Sequence, residues 1–199
     1  LFDTYVRKIP NSKFPAEGEA RQRRQIQNSH VLDRWIMAKR AMLVAEVTKK
    51  MDGYDITGAA RAIEEFAVSD FSQWYLRRSR RRLQQPSSKQ DFDAAARVTA
   101  GVLETITRLS APFVPFLAET IWQGLRKKTG SKESSIHLFS WPEVLTKRVM
   151  SVSDLLRTME EVRRLCAEGL RLRAAKGIKV RQPLAKFQIQ NSEFRTKKA

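Results

Sequence analysis

Cysteine is nearly missing: Cys166 is the only one in 199 residues. An internal disulfide is therefore excluded, and a reducing, cytosolic setting is the expectation. With no His or acid motif beside it, Cys166 reads as a small apolar residue buried in a helix. Glycine is sparse, at eight scattered positions, so no glycine-rich loop is available to cradle phosphates. Histidine occurs twice, as His30 and His137, far apart and without Cys or acid at metal-ligand spacing. Each reads as a surface or helix-end residue rather than a ligand. No Gly-x-Ser-x-Gly or Cys–His signature is present. The longest apolar run, Ala111 to Ala118, contains two prolines and is far too short to span a bilayer. The start Leu1-Phe2-Asp3-Thr4 lacks the basic-then-apolar pattern of a signal peptide. Leu1 is not an initiator methionine, so a fragment of a longer protein is expected.

What the chain has in excess is positive charge. Lys and Arg number 38 against 21 Asp and Glu, a net charge of +17. A field of that sign and size attracts polyanions. Apolar residues make up 42%, enough for a core.

Periodicity gives the elements. Residues 1–28, with Pro10, Pro15 and Gly18, read as an irregular connector. A helix fits 29–52, capped by Asn28 or Ser29, with Leu32, Ile36, Leu43 and Val47 on one face, Trp35 beside them, and Asp52-Gly53 as its stop. A second fits 57–84, capped by Asp55 or Thr57, with Ile63, Phe66, Phe71 and Trp74 as its stripe. A third covers 91–111 and stops at Pro112. A fourth starts near Pro115, carries Leu117, Ile121, Trp122 and Leu125, and ends before Gly130. After an irregular stretch, a fifth fits 152–175, with Leu155, Met159, Val162, Cys166 and Leu170 inward and Gly177 as its stop. Alternation at Ile178, Val180, Phe187 and Ile189 predicts short strands. The predicted class is mainly α: a helical bundle over 29–150, then a small helix-plus-strand junction unit over 151–199.

The densest functional signal is Trp74-Tyr75-Leu76-Arg77-Arg78-Ser79-Arg80-Arg81-Arg82, with five arginines in six residues. On a helix Arg77 and Arg81 share one face, and Arg78 and Arg82 an adjacent one. Like charges so placed repel, so an anion is expected to offset them. It is either a set of neighbouring carboxylates or phosphate, which guanidinium grips with two parallel hydrogen bonds. Arg78, Arg80 and Arg82 read as the exposed anion site. Arg77 and Arg81 continue the stripe of Ile63 and Trp74, so they are either structural or RNA-binding. Trp74 and Tyr75 are either core or a stacking surface for an unpaired base. A second basic cluster comprises Arg171, Arg173, Lys176, Lys179, Arg181 and Lys186. Lys179 and Arg181, two apart in the predicted strand, would share one face for phosphate or simply face solvent. The run Lys127-Lys128-Thr129-Gly130-Ser131-Lys132 lacks the preceding glycine and strand of a phosphate loop and reads as solvated.

Several motifs, in order, resemble one family. Val31-Leu32-Asp33-Arg34-Trp35-Ile36 is similar to the opening of the anticodon-binding bundle of class Ia aminoacyl-tRNA synthetases. Tyr54-Asp55-Ile56, Ala59 to Phe66, Leu109 to Glu119, Ser135-Ile136-His137-Leu138, Trp141-Pro142 and Gly177 to Leu184 continue the likeness. Asp70, Trp74-Tyr75 and the arginine run resemble the isoleucyl branch, whereas Leu83-Gln84-Gln85 and Ala67-Val68-Ser69 depart from its usual residues. The resemblance implies a tRNA-binding portion of a cytoplasmic, monomeric isoleucine–tRNA ligase. Its partners would be tRNA(Ile) and the enzyme's own catalytic domain, with no membrane. ATP would be used by a Rossmann domain whose His-Ile-Gly-His-like and Lys-Met-Ser-Lys-Ser-like motifs do not occur here. No catalytic residue, metal or cofactor is therefore expected in this segment. The alternatives are the same region of a valyl- or leucyl-type synthetase, or a free-standing basic helical adaptor.

Overall fold

A computed structural model describes residues 30–143, 152–184 and 188. The chain divides into two compact units, Leu1–Arg157 and Thr158–Ala199.

In the first unit α1 spans Val31–Asp52. Its cap is His30, whose Nδ1 accepts from the Leu32 amide at 3.2 Å, in place of the expected Asn28 or Ser29, which lie outside the described residues. His30 is thus a helix-end residue. The α1 stop falls at Asp52-Gly53 as expected, but the left-handed residue is the one after it. Gly53 stays at φ −90, and Tyr54 takes the left-handed turn at φ 58. The Asp55 amide donates to Lys50 O at 2.8 Å and the Tyr54 amide to Met51 O at 3.0 Å. This pair of bonds is the Schellman closure that usually recruits glycine.

Next come α2 (Ile56–Glu65), a π-helical segment (Phe66–Leu76) and α3 (Arg77–Gln84), without a break. Asp55 caps α2 by accepting from the Gly58 amide at 2.8 Å. That hydrogen bond, and then Lys50, hold the Asp55 carboxyl below its ordinary range. Then α4 (Lys89–Ser110) starts at the Ser88 cap, and α5 (Pro115–Thr129) starts with proline at its first position and ends at Gly130, φ 68.

Cross-helix contacts fix the directions. Arg82 reaches both Asp33 on α1 and Asp91 on α4, so the starts of these two helices lie together. Arg40 donates to the Gly101 carbonyl at 3.3 Å, joining their middles. The helices therefore run side by side in one direction. The α1–α2 and α4–α5 turns fall at the same end, opposite α3. Trp35, Ile36, Val47, Phe71, Tyr75, Leu103, Leu109, Trp122 and Leu125 form the core between them.

The segment after α5 packs through a 3₁₀ turn, Ile136–Leu138. Glu119 accepts from Ser135 Oγ at 2.8 Å and the Ile136 amide at 3.1 Å. Phe139 meets Trp122 edge-on at 4.9 Å, and Trp141 Nε1 donates to Thr48 Oγ1 at 2.8 Å.

In the second unit α6 (Ser153–Ala175) begins just before the division and closes on Gly177, φ 65, with the Ile178 amide donating to Arg173 O at 2.9 Å. The expected strands are not found among the described residues. Residues 178–182 turn instead, because the Arg173 guanidinium collects the carbonyls of Lys179, Val180 and Gln182 at 2.8 to 3.3 Å. Phe187 and Ile189 lie outside the described residues. Of the predicted α6 stripe, Met159 is buried, but Val162, Cys166 and Leu170 are exposed. Cys166 is therefore not a buried residue.

Candidate nucleic-acid interface

The arginine run begins where the π-helical segment ends, and that segment decides which arginine faces where. A π turn closes i→i+5 and holds more residues than an α turn. Buried positions accordingly recur at Phe66, then Asp70 and Phe71, then Tyr75 and Leu76, before Ser79 and Leu83. Under strict α periodicity Trp74, eleven residues after Ile63, would complete about three turns and point inward. The slower winding leaves Trp74 half-buried at the rim and turns Tyr75 fully inward.

This decides between the two readings of Tyr75, in favour of core, and overturns the expectation that Arg82 is exposed. Tyr75 is buried and its hydroxyl donates to Asp33 Oδ1 at 2.8 Å, so it has no face for a base. Burial, and then the adjacent Asp33 charge, push its hydroxyl well above the ordinary tyrosine range. Arg82 is likewise committed within the protein. Its NH1 and NH2 donate to Asp33 Oδ1 and Oδ2 at 2.8 and 2.9 Å, and its Nε to Asp91 Oδ1 at 2.7 Å. Burial works to lower its pKa, but the two carboxylates outweigh it and raise the value. With 11% of its side chain exposed and three of its five N–H groups bonded to carboxylates, Arg82 is an internal anchor rather than the exposed anion site expected. Lys39 and Asp70 add a further link at 3.0 Å.

The other four arginines of α3 are exposed: Arg77, Arg78, Arg80 and Arg81. Arg77 and Arg81, expected near the core edge, point outward instead. Arg78 stacks its guanidinium over the Trp74 ring at 3.2 Å, which holds both groups flat. Arg80 Nε donates to Gln84 Oε1 at 3.2 Å. Among the described residues, Arg77, Arg80 and Arg81 make no ion pair. One short helix thus presents four guanidinium groups outward while a fifth, Arg82, anchors it to α1 and α4. Asp33 and Asp91, which make that anchor, were not singled out from sequence; a lone acid one turn into each helix carries no distinguishing signal.

The second basic cluster disperses. Arg171 is paired with Glu168 at 2.6 Å, and Arg173 holds the turn after α6. Lys179 and Arg181 are exposed, but on that turn rather than on a strand face. Lys186 lies outside the described residues. His137 is exposed, and no group of His, Cys, Asp or Glu suited to a metal occurs among the described residues. No described helix is long and apolar enough to cross a membrane.

An antiparallel bundle with a rigidly anchored arginine face fits a helical RNA-binding module, and comparison with known proteins agrees. Residues 33–189 match the family described as anticodon-binding domain of tRNA ligase. The chain belongs to this family. It is 39% identical over 178 residues to an isoleucine–tRNA ligase of Tropheryma whipplei, covering 89% of the chain and 16% of that relative. An isoleucine–tRNA ligase of Streptomyces avermitilis is 40% identical over 167 residues, 83% of the chain and 15% of the relative. One of Thermus thermophilus is 38% identical over 154 residues, 77% of the chain and 15% of the relative. The chain thus spans 15–16% of the length of these relatives. The mainly α class and the bundle expected from sequence are found; among the described residues the strands of the junction unit are not.

Proposed function

We propose that this chain is the anticodon-arm-binding portion of an isoleucine–tRNA ligase, and that it binds tRNA(Ile) without itself catalysing a reaction. The observation that carries the reading is the outward row Arg77, Arg78, Arg80 and Arg81 on a helix locked in place by Arg82. Guanidinium groups so fixed grip phosphates without first having to be ordered. Lys179 and Arg181, in the second unit, are further exposed cations. The names of the relatives, and the likeness of the arginine run to the isoleucyl branch, support isoleucine as the amino acid. Aminoacylation with ATP belongs to the rest of the enzyme, through a catalytic domain preceding the connector 1–28, and this segment needs no cofactor or metal. The bundle is assigned to 29–150 and the junction unit to 151–199. The whole protein is read as a cytoplasmic monomer.

The test is tRNA binding by this chain across a salt series. Affinity should fall linearly on a log–log plot, with about 0.7–0.9 of slope per phosphate contact. Replacing Arg77, Arg78, Arg80 and Arg81 with Gln, and leaving Arg82 in place, should lower both affinity and slope. A flat salt response, or no binding at low salt, overturns the reading.

A second reading is favoured by position: α3 lies at the end where α1 begins. There the four arginines would dock against the catalytic domain instead. In the whole enzyme the same quadruple variant would then lower the melting temperature and leave tRNA affinity unchanged.

A further inference from the structure

Of the four outward arginines of α3, Arg78 is held in a way of its own. Its central guanidinium carbon lies 3.2 Å from the centroid of the Trp74 ring. An edge-on guanidinium would keep that carbon further off, so the two planes lie face to face. The N–H groups of a guanidinium all lie in its plane, so the contact engages the flat face and spends no donor on the ring. Arg82, by contrast, has three N–H groups on carboxylates, and Arg80 has its Nε on Gln84. Arg108 also meets a ring, Phe139, at 5.0 Å, but it is half-buried, with NH1 to Glu104 and NH2 to the Ser140 carbonyl. That contact helps to hold the segment after α5, whereas Arg78 is exposed. Trp74 and Arg78 flank the junction between the π-helical segment and α3. The wide turns that carry Trp74 to the rim thus place its ring on the outward side of the helix, beneath Arg78.

We propose that Trp74 is a positioning residue for RNA-backbone binding: its ring fixes the Arg78 guanidinium in one orientation on the outer face of α3, where the N–H edge takes a phosphate. This rests on the RNA-binding reading above and adds to it the residue that orders the contact. Arginine is among the side chains that lose most freedom on being ordered. Its planar fork grips phosphate with two parallel hydrogen bonds only when it is aimed at it. The stack removes that freedom before the RNA arrives. It also leaves the charge intact. Asp33 and Asp91 order Arg82 by bringing negative charge to it, whereas an indole orders Arg78 and brings none. One helix thus uses the two ways of holding a guanidinium for two purposes: carboxylates where an anchor is needed, a ring where the positive charge must stay available.

The experiment measures binding of the 199-residue chain to a tRNA(Ile) transcript across a salt series. Trp74→Leu should weaken binding about two- to fivefold, the worth of one exposed cation–π contact, at an unchanged salt slope, because the charge of Arg78 remains. Arg78→Gln should weaken binding and also lower the slope by about 0.7–0.9. The double variant Trp74→Leu/Arg78→Gln should bind no more weakly than Arg78→Gln alone. Trp74→Tyr keeps a ring face and should bind within about twofold of the parent. Should Trp74→Leu lower the melting temperature, Trp74→Met, which keeps more of the bulk without a ring, repeats the cycle. A ring that only supports the helix, or that meets the RNA directly, would weaken binding equally with and without Arg78, and that result overturns the positioning role. Unchanged affinity in Trp74→Leu, while Arg77→Gln/Arg81→Gln still weakens binding, overturns it too and leaves the RNA-binding reading standing. No binding by the parent at low salt removes the broader reading and this role with it.

Discussion

Arg82 and Asp33, 49 residues apart in sequence, meet in a two-pronged salt bridge with both N···O distances under 3 Å. Asp33 is 1% exposed and takes a third hydrogen bond from Tyr75. Removing Arg82 would strand a buried carboxylate, so Arg82→Gln is expected to destabilise the bundle by about 3–5 kcal/mol. Arg80→Gln, on the exposed side of the same helix, should stay within about 0.5 kcal/mol. Urea midpoints for the two variants check this. Equal midpoints would mean that the buried bridge contributes no more than a surface arginine.

Tyr75 links the same carboxylate to alkaline stability. Its folded-state pKa is raised above the ordinary 10.0. The unfolded chain therefore loses this proton first as pH rises. The contribution of Tyr75 is complete below pH 10 and is lost as pH climbs through the folded value. Tyr75→Phe should remove one hydrogen bond to Asp33, at about 1–3 kcal/mol, and flatten the decline of stability above pH 10. Chemical denaturation at a series of alkaline pH values reads both effects. A decline as steep in Tyr75→Phe as in the parent would assign it to other groups.

Ser79 sits among the arginines yet is fully buried, and its Oγ has no hydrogen-bond partner. Ser79→Ala deletes an unpaired buried hydroxyl and improves helix propensity, so it should be neutral or stabilising by up to about 1 kcal/mol. Ser79→Leu should cost about 1–3 kcal/mol by overpacking. A loss of stability in Ser79→Ala comparable to that in Ser79→Leu would show that the hydroxyl is bonded after all.

How far the sequence could be read depended on whether one period applied. The apolar residues of α1 and α4 follow the 3.6-residue repeat, and Asp55, Pro115 and Gly177 mark ends that the structure keeps. From Phe66 to Leu76 the repeat lengthens, and every assignment downstream rotates with it. Tyr75 goes in, Trp74 moves to the rim, Arg82 turns to Asp33, and Arg77 and Arg81 turn out. A density of arginine was legible; which one would be an anchor was not, because that depends on two acids far away in the chain. Leu117, expected inward, is 57% exposed. The first turn of α5 reaches beyond the packed core before Ala118, Trp122 and Leu125 engage it. On α6 the apolar spacing was visible, but spacing names a face and not what covers it.

The turn after α6 gives the last prediction, and Tyr54 is its counterpart. Both α1 and α6 close with a left-handed residue, Tyr54 at φ 58 and Gly177 at φ 65. A Cβ added at Gly177 would meet nothing within 4 Å, so Gly177→Ala introduces backbone strain without a clash, about 1–2 kcal/mol. The strain falls on the bond from the Ile178 amide to Arg173 O and on the carbonyls that Arg173 gathers from Lys179, Val180 and Gln182. Amide hydrogen exchange at Ile178 and Gln182 should therefore quicken in Gly177→Ala, while exchange in the middle of α1 and α4 is unchanged. Replacing Arg173 with Gln should quicken Gln182 in the same way but spare Ile178, whose bond runs to the Arg173 backbone. If both substitutions leave exchange at 178–182 as in the parent, neither the closure at Gly177 nor the guanidinium holds this turn.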